Sequence, residues 1–179
     1  MLTHLALPRV RHLEQLFHVF GYLKENPKRK IALDPDHTFI GDRRFKKHDW
    51  YDFYHNSKEA IPGDIPPTRV NCVTTHCFED ADLAGNAVIK RSQTGILIFV
   101  NRAPIIWHSK KQNTVESSTY GSDVVAMKNV VELIEELKYK LRMFRVPIDE
   151  PTNIFCDNEA VTKNCLDPTS TLKKKHHYI

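Results

Sequence analysis

Acidic side chains fall at the ends of three expected elements: Asp80 and Asp82 after a β-branched run, Asp123 in the first turn of a long helical pattern, and Asp157 after a short apolar strand. Carboxylate oxygens hold hard cations such as Mg²⁺, and strand ends together with a helix start can converge on one point of an α/β sheet. Two such ions about 3.5 to 4 Å apart can activate a water and stabilise the leaving oxygen of a phosphodiester without any nucleophilic side chain. Each aspartate alone has a plainer role, since Asp forms turns at strand ends and suits the positive end of a helix dipole. Their joint placement is what points to metal-assisted phosphoryl chemistry.

Other polar residues could serve a polyanion. Lys110, Lys111, Lys173, Lys174 and Lys175, with the hydroxyls of Ser117, Ser118 and Thr119, could contact backbone phosphates. The lysines could equally solubilise a surface, and capping of the long helix is the preferred role for Ser118 or Thr119. His76, His176 and His177 have no His or Cys partners at ligand spacing and are expected as exposed polar residues. Cys72, Cys77, Cys156 and Cys165, spaced by 5, 79 and 9, match no zinc motif and read as reduced thiols, with Cys72 and Cys77 on opposite sides of one strand. Arg43, Arg44, Lys46 and Lys47 beside Trp50, Tyr51, Phe53 and Tyr54 form either a basic, aromatic nucleic-acid surface or, the preferred reading, a solvated loop.

The elements that must position the acids are read from periodicity. Val70 to Phe78, Gly95 to Val100 and Pro104 to His108 are rich in β-branched and aromatic residues and suggest an antiparallel meander. From about Thr119 to Arg145, residues Met127, Val130, Val131, Ile134, Leu137, Leu141 and Phe144 make one helical stripe, expected to lie across the sheet. Asn153 to Cys156 reads as a short buried strand, and Asn158 to Cys165 as a helix ended before Asp167-Pro168. Upstream, Pro8 opens a helix whose Leu13, Leu16, Phe17, Phe20 and Leu23 share a face, and Asn26-Pro27 stops it. Pro62, Gly63, Pro66 and Pro67 place a domain boundary within residues 61–68.

Composition bounds the rest. A chain of 179 residues holds at most one domain plus a fragment, and 41% hydrophobic with 27% charged residues excludes collagenous, mucin-like and disordered classes. The formal charge of +4 permits a nucleic-acid partner without demanding one. Neither an apolar run of membrane-spanning length nor a signal sequence is visible, so an intracellular protein, in cytoplasm or nucleus and off the membrane, is expected.

The ordered set Asp80-Ala81-Asp82-Leu83-Ala84-Gly85, Arg91-Ser92-Gln93-Thr94-Gly95, Trp107, Ser109-Lys110-Lys111-Gln112, Ser117-Ser118-Thr119, Cys156-Asp157-Asn158 and Lys173-Lys174-Lys175-His176 resembles the ribonuclease H domain of copia-type LTR retrotransposon polyproteins. The resemblance runs from about Arg69 onward. Leu5-Ala6-Leu7-Pro8-Arg9 with Tyr22-Leu23-Lys24 resembles the tail of the same polyprotein's reverse transcriptase. It implies a reverse transcriptase remnant over 1–68 and a ribonuclease H-like domain over 69–179, with a mixed five-stranded sheet in βββαβα order, cut short at its C-terminus.

The implied activity is cleavage of the RNA strand of an RNA/DNA hybrid with two Mg²⁺ or Mn²⁺ ions, beside the reverse transcriptase portion of the polyprotein. Asp80 then matches the first metal-binding acid and Asp157 the third, while Asp82 has a turn role or one a layer out from the ions. Asp123 stands where the family usually has glutamate, which retracts the carboxylate by about 1.5 Å, one carbon–carbon bond. The family also continues past the lysine-rich motif to a late acid or histidine, whereas this chain stops at Ile179. Weak or lost cleavage is therefore expected, with no DNA synthesis; the alternative is a noncatalytic remnant that binds RNA or hybrid. An integrase of the related superfamily would carry its last acid as a glutamate in a helix, unlike Asp157.

Overall fold

The computed structural model describes residues 9–36, 52–53, 55, 63–65, 67–84, 90–148, 151–167 and 169. In chain order these form α1 (Val10–Glu25), β1 (Thr75–Asp82), β2 (Gln93–Val100), β3 (Ala103–Lys111), α2 (Thr119–Met143), β4 (Asn153–Cys156) and α3 (Glu159–Leu166). The architecture is α/β with one mixed four-stranded sheet in the order β3-β2-β1-β4. β1 pairs antiparallel with β2 and parallel with β4, and β2 pairs antiparallel with β3. Five strands are expected from the resemblance; the described residues form four. No helix among them is long and apolar enough to cross a membrane.

The first strand starts five residues later than the β-branched run suggests and ends four residues later. Val70 to Thr74 are tied elsewhere: the N–H of Val73 donates to the Pro147 carbonyl at 2.9 Å, and that of Thr74 to Asn101 Oδ1 at 2.9 Å. Glu79 to Asp82 instead continue the ladder, opposite Ile96 to Gln93. Asp80 and Asp82 thus sit within the strand rather than in a turn after it. β3 likewise runs on to Lys111, which makes Lys110 and Lys111 strand residues.

One face of the sheet buries Cys77, Ile96 and Ile98 against Val130, Ile134 and Leu137 of α2. The helix stripe is narrower than periodicity suggests: Val131 and Phe144 are exposed, and Ala126 is buried where Met127 is expected. Successive helix positions are about 100° apart, so a neighbour of a buried residue turns out of the contact. The hydroxyl of Ser118 accepts the N–H of Gly121 at 3.1 Å and starts α2, while Asn158 Oδ1 accepts those of Ala160 and Val161 at 3.1 and 3.3 Å and starts α3.

The chain divides into two compact units, Met1–Ala32 and Leu33–Ile179. Residues 34–36 belong with the sheet because Arg102 pairs with Asp34 at 3.1 Å and Asn101 Nδ2 donates to the Pro35 carbonyl at 2.8 Å. The expected boundary at 61–68 lies partly outside the described residues. In the first unit α1 starts at Val10, with the N–H of Arg9 on His12 Nδ1 at 3.0 Å, and ends where both amide groups of Asn26 reach the Tyr22 carbonyl. None of its residues is buried, its apolar stripe included. Pro8 and residues 37–51, with the paired basic residues and Trp50, lie outside the described residues, as does Tyr54.

Candidate metal centre

Three distant parts of the sequence meet at the end of β1. Asp80 comes from that strand, Asp157 follows β4, and Asp123 sits in α2. Each offers one carboxylate oxygen, and these three oxygens lie within 4.8 Å of one another. The parallel pairing explains half of this: Glu79 is level with Cys156, so the next residues, Asp80 and Asp157, are neighbours across the strands. The other half comes from α2, whose fifth residue is Asp123; it stands one position beyond the first turn where the sequence suggested it.

The three acids differ in environment. Asp80 and Asp157 are exposed, whereas Asp123 is 4% exposed and accepts Asn158 Nδ2 at 2.7 Å. Burial raises the carboxyl of Asp123 above the usual range, the Asn158 hydrogen bond opposes this, and the charges of Asp157 and Asp80 add to the rise. A cation supplied to the cluster would relieve that mutual repulsion. Two oxygens on opposite sides of one Mg²⁺ stand about 4.2 Å apart, twice a ligand length of about 2.1 Å, and a second ion about 4 Å away widens the reach. An all-oxygen set spread over no more than 4.8 Å therefore fits hard divalent ions.

Asp82 is exposed and outside this cluster. Lys110 and Lys111 diverge: strand alternation puts Lys110 with buried Thr94 on the helix side and Lys111 with Gln93 on the other. Both border a cavity of about 360 Å³ between β3 and α2, with His108, Gln112, Asn129 and Glu136. Ser118 caps α2, and Thr119 is its exposed first residue. Lys173, Lys174, Lys175, His176 and His177 lie outside the described residues.

His76 corrects an expectation, being 6% exposed rather than solvated. Its ring stacks on Phe99 at 4.7 Å, and burial lowers its pKa, so it packs as a neutral aromatic. Cys72 precedes β1, so strand parity does not relate it to Cys77; all four cysteines are unpaired.

Three residues were not singled out from sequence. Asn158 both caps α3 and holds Asp123, and its place just before a helical pattern was the available signal. Gln112 is buried and donates to Thr94 Oγ1 at 2.9 Å and to the Ser122 carbonyl at 2.8 Å, joining the end of β3 to the start of α2. Glu79 is 5% exposed, on the helix side with Cys77 and Ala81. Burial pushes its carboxyl up to about 7; the Cys156 thiol beside it opposes the rise, and Asp123, Asp157 and Asp80 reinforce it. Its signal was parity, visible once the strand is known to run to Asp82.

Over 106 residues the chain is 28% identical to the retrovirus-related Pol polyprotein from transposon RE2 of Arabidopsis thaliana. The polyprotein from transposon RE1 of the same plant matches at the same identity and length. The matched stretch is 59% of this chain and 7% of either relative's length. No family model matches, and neither does any solved structure. The similarity supports a relation to retrotransposon Pol polyproteins, of which this chain spans a small part.

Proposed function

We propose that the sheet and α2 carry a ribonuclease H-like site that cleaves the RNA strand of an RNA/DNA hybrid during reverse transcription. The reverse transcriptase portion of the same polyprotein would be its partner. The observation that carries this reading is the approach of Asp80, Asp123 and Asp157 to within 4.8 Å from three separate elements. They would hold two Mg²⁺ or Mn²⁺ ions. Such ions supply Lewis acidity to phosphodiester hydrolysis, in which a water oxygen bonds to phosphorus and the 3′ oxygen leaves.

The protein's own groups set how well this works. Exposed Asp80 and Asp157 reach outward, while Asn158 fixes the Asp123 carboxylate. Aspartate at 123 is one carbon shorter than the glutamate usual in the resembling family. A misplacement of about 1 Å can cost about 10²-fold in rate, so turnover is slow. A second reading, hybrid binding without cleavage, is favoured by the same residue, because Asp123 is both short and almost wholly buried.

Cleavage of a labelled hybrid with and without Mg²⁺ tests both. Slow Mg²⁺-dependent cleavage is expected, abolished in Asp157→Asn, whose amide brings no negative charge, and raised in Asp123→Glu. Cleavage that survives Asp157→Asn would show that the acids are misassigned. Hybrid bound by the chain yet uncut even in Asp123→Glu would establish the second reading.

A further inference from the structure

We infer that Gly95 keeps a strip of sheet bare beside the acids so that the backbone of a nucleic-acid strand can lie against it. This rests on the reading of the site above and adds the residue that admits the substrate.

Gly95 is the third residue of β2, paired with Asp80 on one side and Ser109 on the other. Paired residues point to the same face, and Ile96 next to it enters the core, so Gly95 lies on the face of Asp80. Glycine weakens a strand interior, because it loses more backbone freedom on folding than any other residue and brings no side chain to pack, and it needs a reason. Backbone conformation is not one, because Gly95 has no positive φ. Nor is a bulge, since the register irregularity falls between Ile98 and Phe99. Packing is not one either: a Cβ at 95 would meet, among the described residues, only the Asp80 carbonyl oxygen at 3.8 Å, an ordinary contact. The remaining common cause of a strand glycine is close approach by a ligand or another backbone.

The surroundings indicate which ligand. Across the sheet the residues run Asp80, Gly95, Ser109, and the hydroxyl of Ser109 accepts Gln93 Nε2 at 3.0 Å on the same face. Lys111, paired with Gln93, adds a cation one step along. A strip with carboxylates at one end, bare peptide in the middle and a hydroxyl and an ammonium at the other suits a sugar–phosphate backbone bringing one phosphate to the acids. A side chain at 95 would stand about 5 Å from the Cβ of Asp80, in the path of that strand.

Gly95→Ala and Gly95→Val test this through thermal unfolding, Mn²⁺ binding followed by its electron paramagnetic resonance signal, and affinity for a fluorescent RNA/DNA hybrid in Ca²⁺. Both variants are expected to melt no lower than the native chain and to bind Mn²⁺ equally well. Hybrid affinity should fall modestly in Gly95→Ala and at least about tenfold in Gly95→Val, the loss that 1.4 kcal/mol produces. Native hybrid affinity in a folded Gly95→Val would overturn the inference, and so would unchanged affinity in Gly95→Ala should valine unfold the chain. A native chain that takes up no Mn²⁺ would overturn the metal reading; hybrid binding still weakened by Gly95→Val would then leave the bare strip standing. A native chain with no hybrid affinity would overturn both.

Discussion

The two faces of the sheet are both apolar along much of their length, yet only one behaves as a core. Against α2, the side chains of Cys77, Ile96 and Ile98 interlock with Val130, Ile134 and Leu137. The opposite face carries Phe78, Phe155 and Trp107 in one row across the strands, with Phe78 and Phe155 stacked at 4.7 Å; Phe78 is 46% and Trp107 66% exposed. Asp80, Gly95 and Ser109 form the next row. Hydrophobicity alone does not make a core; what matters is whether a partner surface of matching period covers it. The exposed face is where chemistry can be reached.

The largest effect should come from cutting into the covered face. Ile98 is completely buried, so Ile98→Ala loses its burial and leaves a cavity, about 3 kcal/mol of stability. Trp107→Ala, a bigger truncation on the other face, should cost less than about 1 kcal/mol. Urea unfolding of both measures the contrast. Equal losses would erase the distinction between the faces.

Ionisation separates the faces next. Glu79 on the covered face is pushed from the ordinary 4.5 up to about 7, while burial lowers the pKa of His76 on the other face from 6.5. A raised carboxyl pKa means that folding disfavours the charged form, so Glu79 withdraws stability as pH rises from 4.5 to about 7. The lowered His76 acts in the reverse sense: its contribution is present above 6.5 and is lost as pH falls below. The two partly cancel in the native chain, so the difference between Glu79→Gln and native stability isolates the first. It should move in favour of Gln by about 3 kcal/mol between pH 4.5 and pH 8, at about 1.4 kcal/mol per pH unit of displacement. Denaturant unfolding at both pH values in chelator measures it, and a constant difference would mean that Glu79 ionises freely in the fold.

Legibility in the sequence followed the same divide. The α2 stripe and β2 were readable because one face must be buried, and burial imposes a period; the parallel pairing of β4 with β1 leaves no such mark. The meeting of Asp80, Asp123 and Asp157 was readable only through topology, since parallel pairing of β1 with β4 sets two of them side by side. What escaped was β1's true extent. Asp80 and Asp82 look like a turn because charges are rare in strands, and the pairing with Gly95 and Gln93 overrides that propensity. His76 escaped for a different reason: it lies inside the expected strand, and its burial comes from stacking on Phe99, which no local period announces.

The smallest effect sharpens a choice the sequence left open, whether the hydroxyl of Ser118 serves the helix or a nucleic acid. In the structure it accepts the N–H of Gly121 at 3.1 Å, one of the donors that a helix start leaves without an intrahelical partner. Ser118→Ala should therefore cost about 1 kcal/mol of stability. Aspartate at this position would also cap, and its charge suits the helix N-terminus, so Ser118→Asp should melt close to the native chain. A carboxylate beside a polyanion repels it, however, and the two substitutions pull the roles apart. If capping is the whole role, hybrid affinity stays level in both variants once each is folded. Affinity that falls in Ser118→Asp while its melting point holds would show that the start of α2 also lies against the phosphate backbone, and the accessible surface would then extend around the end of the sheet to the helix that covers its other face.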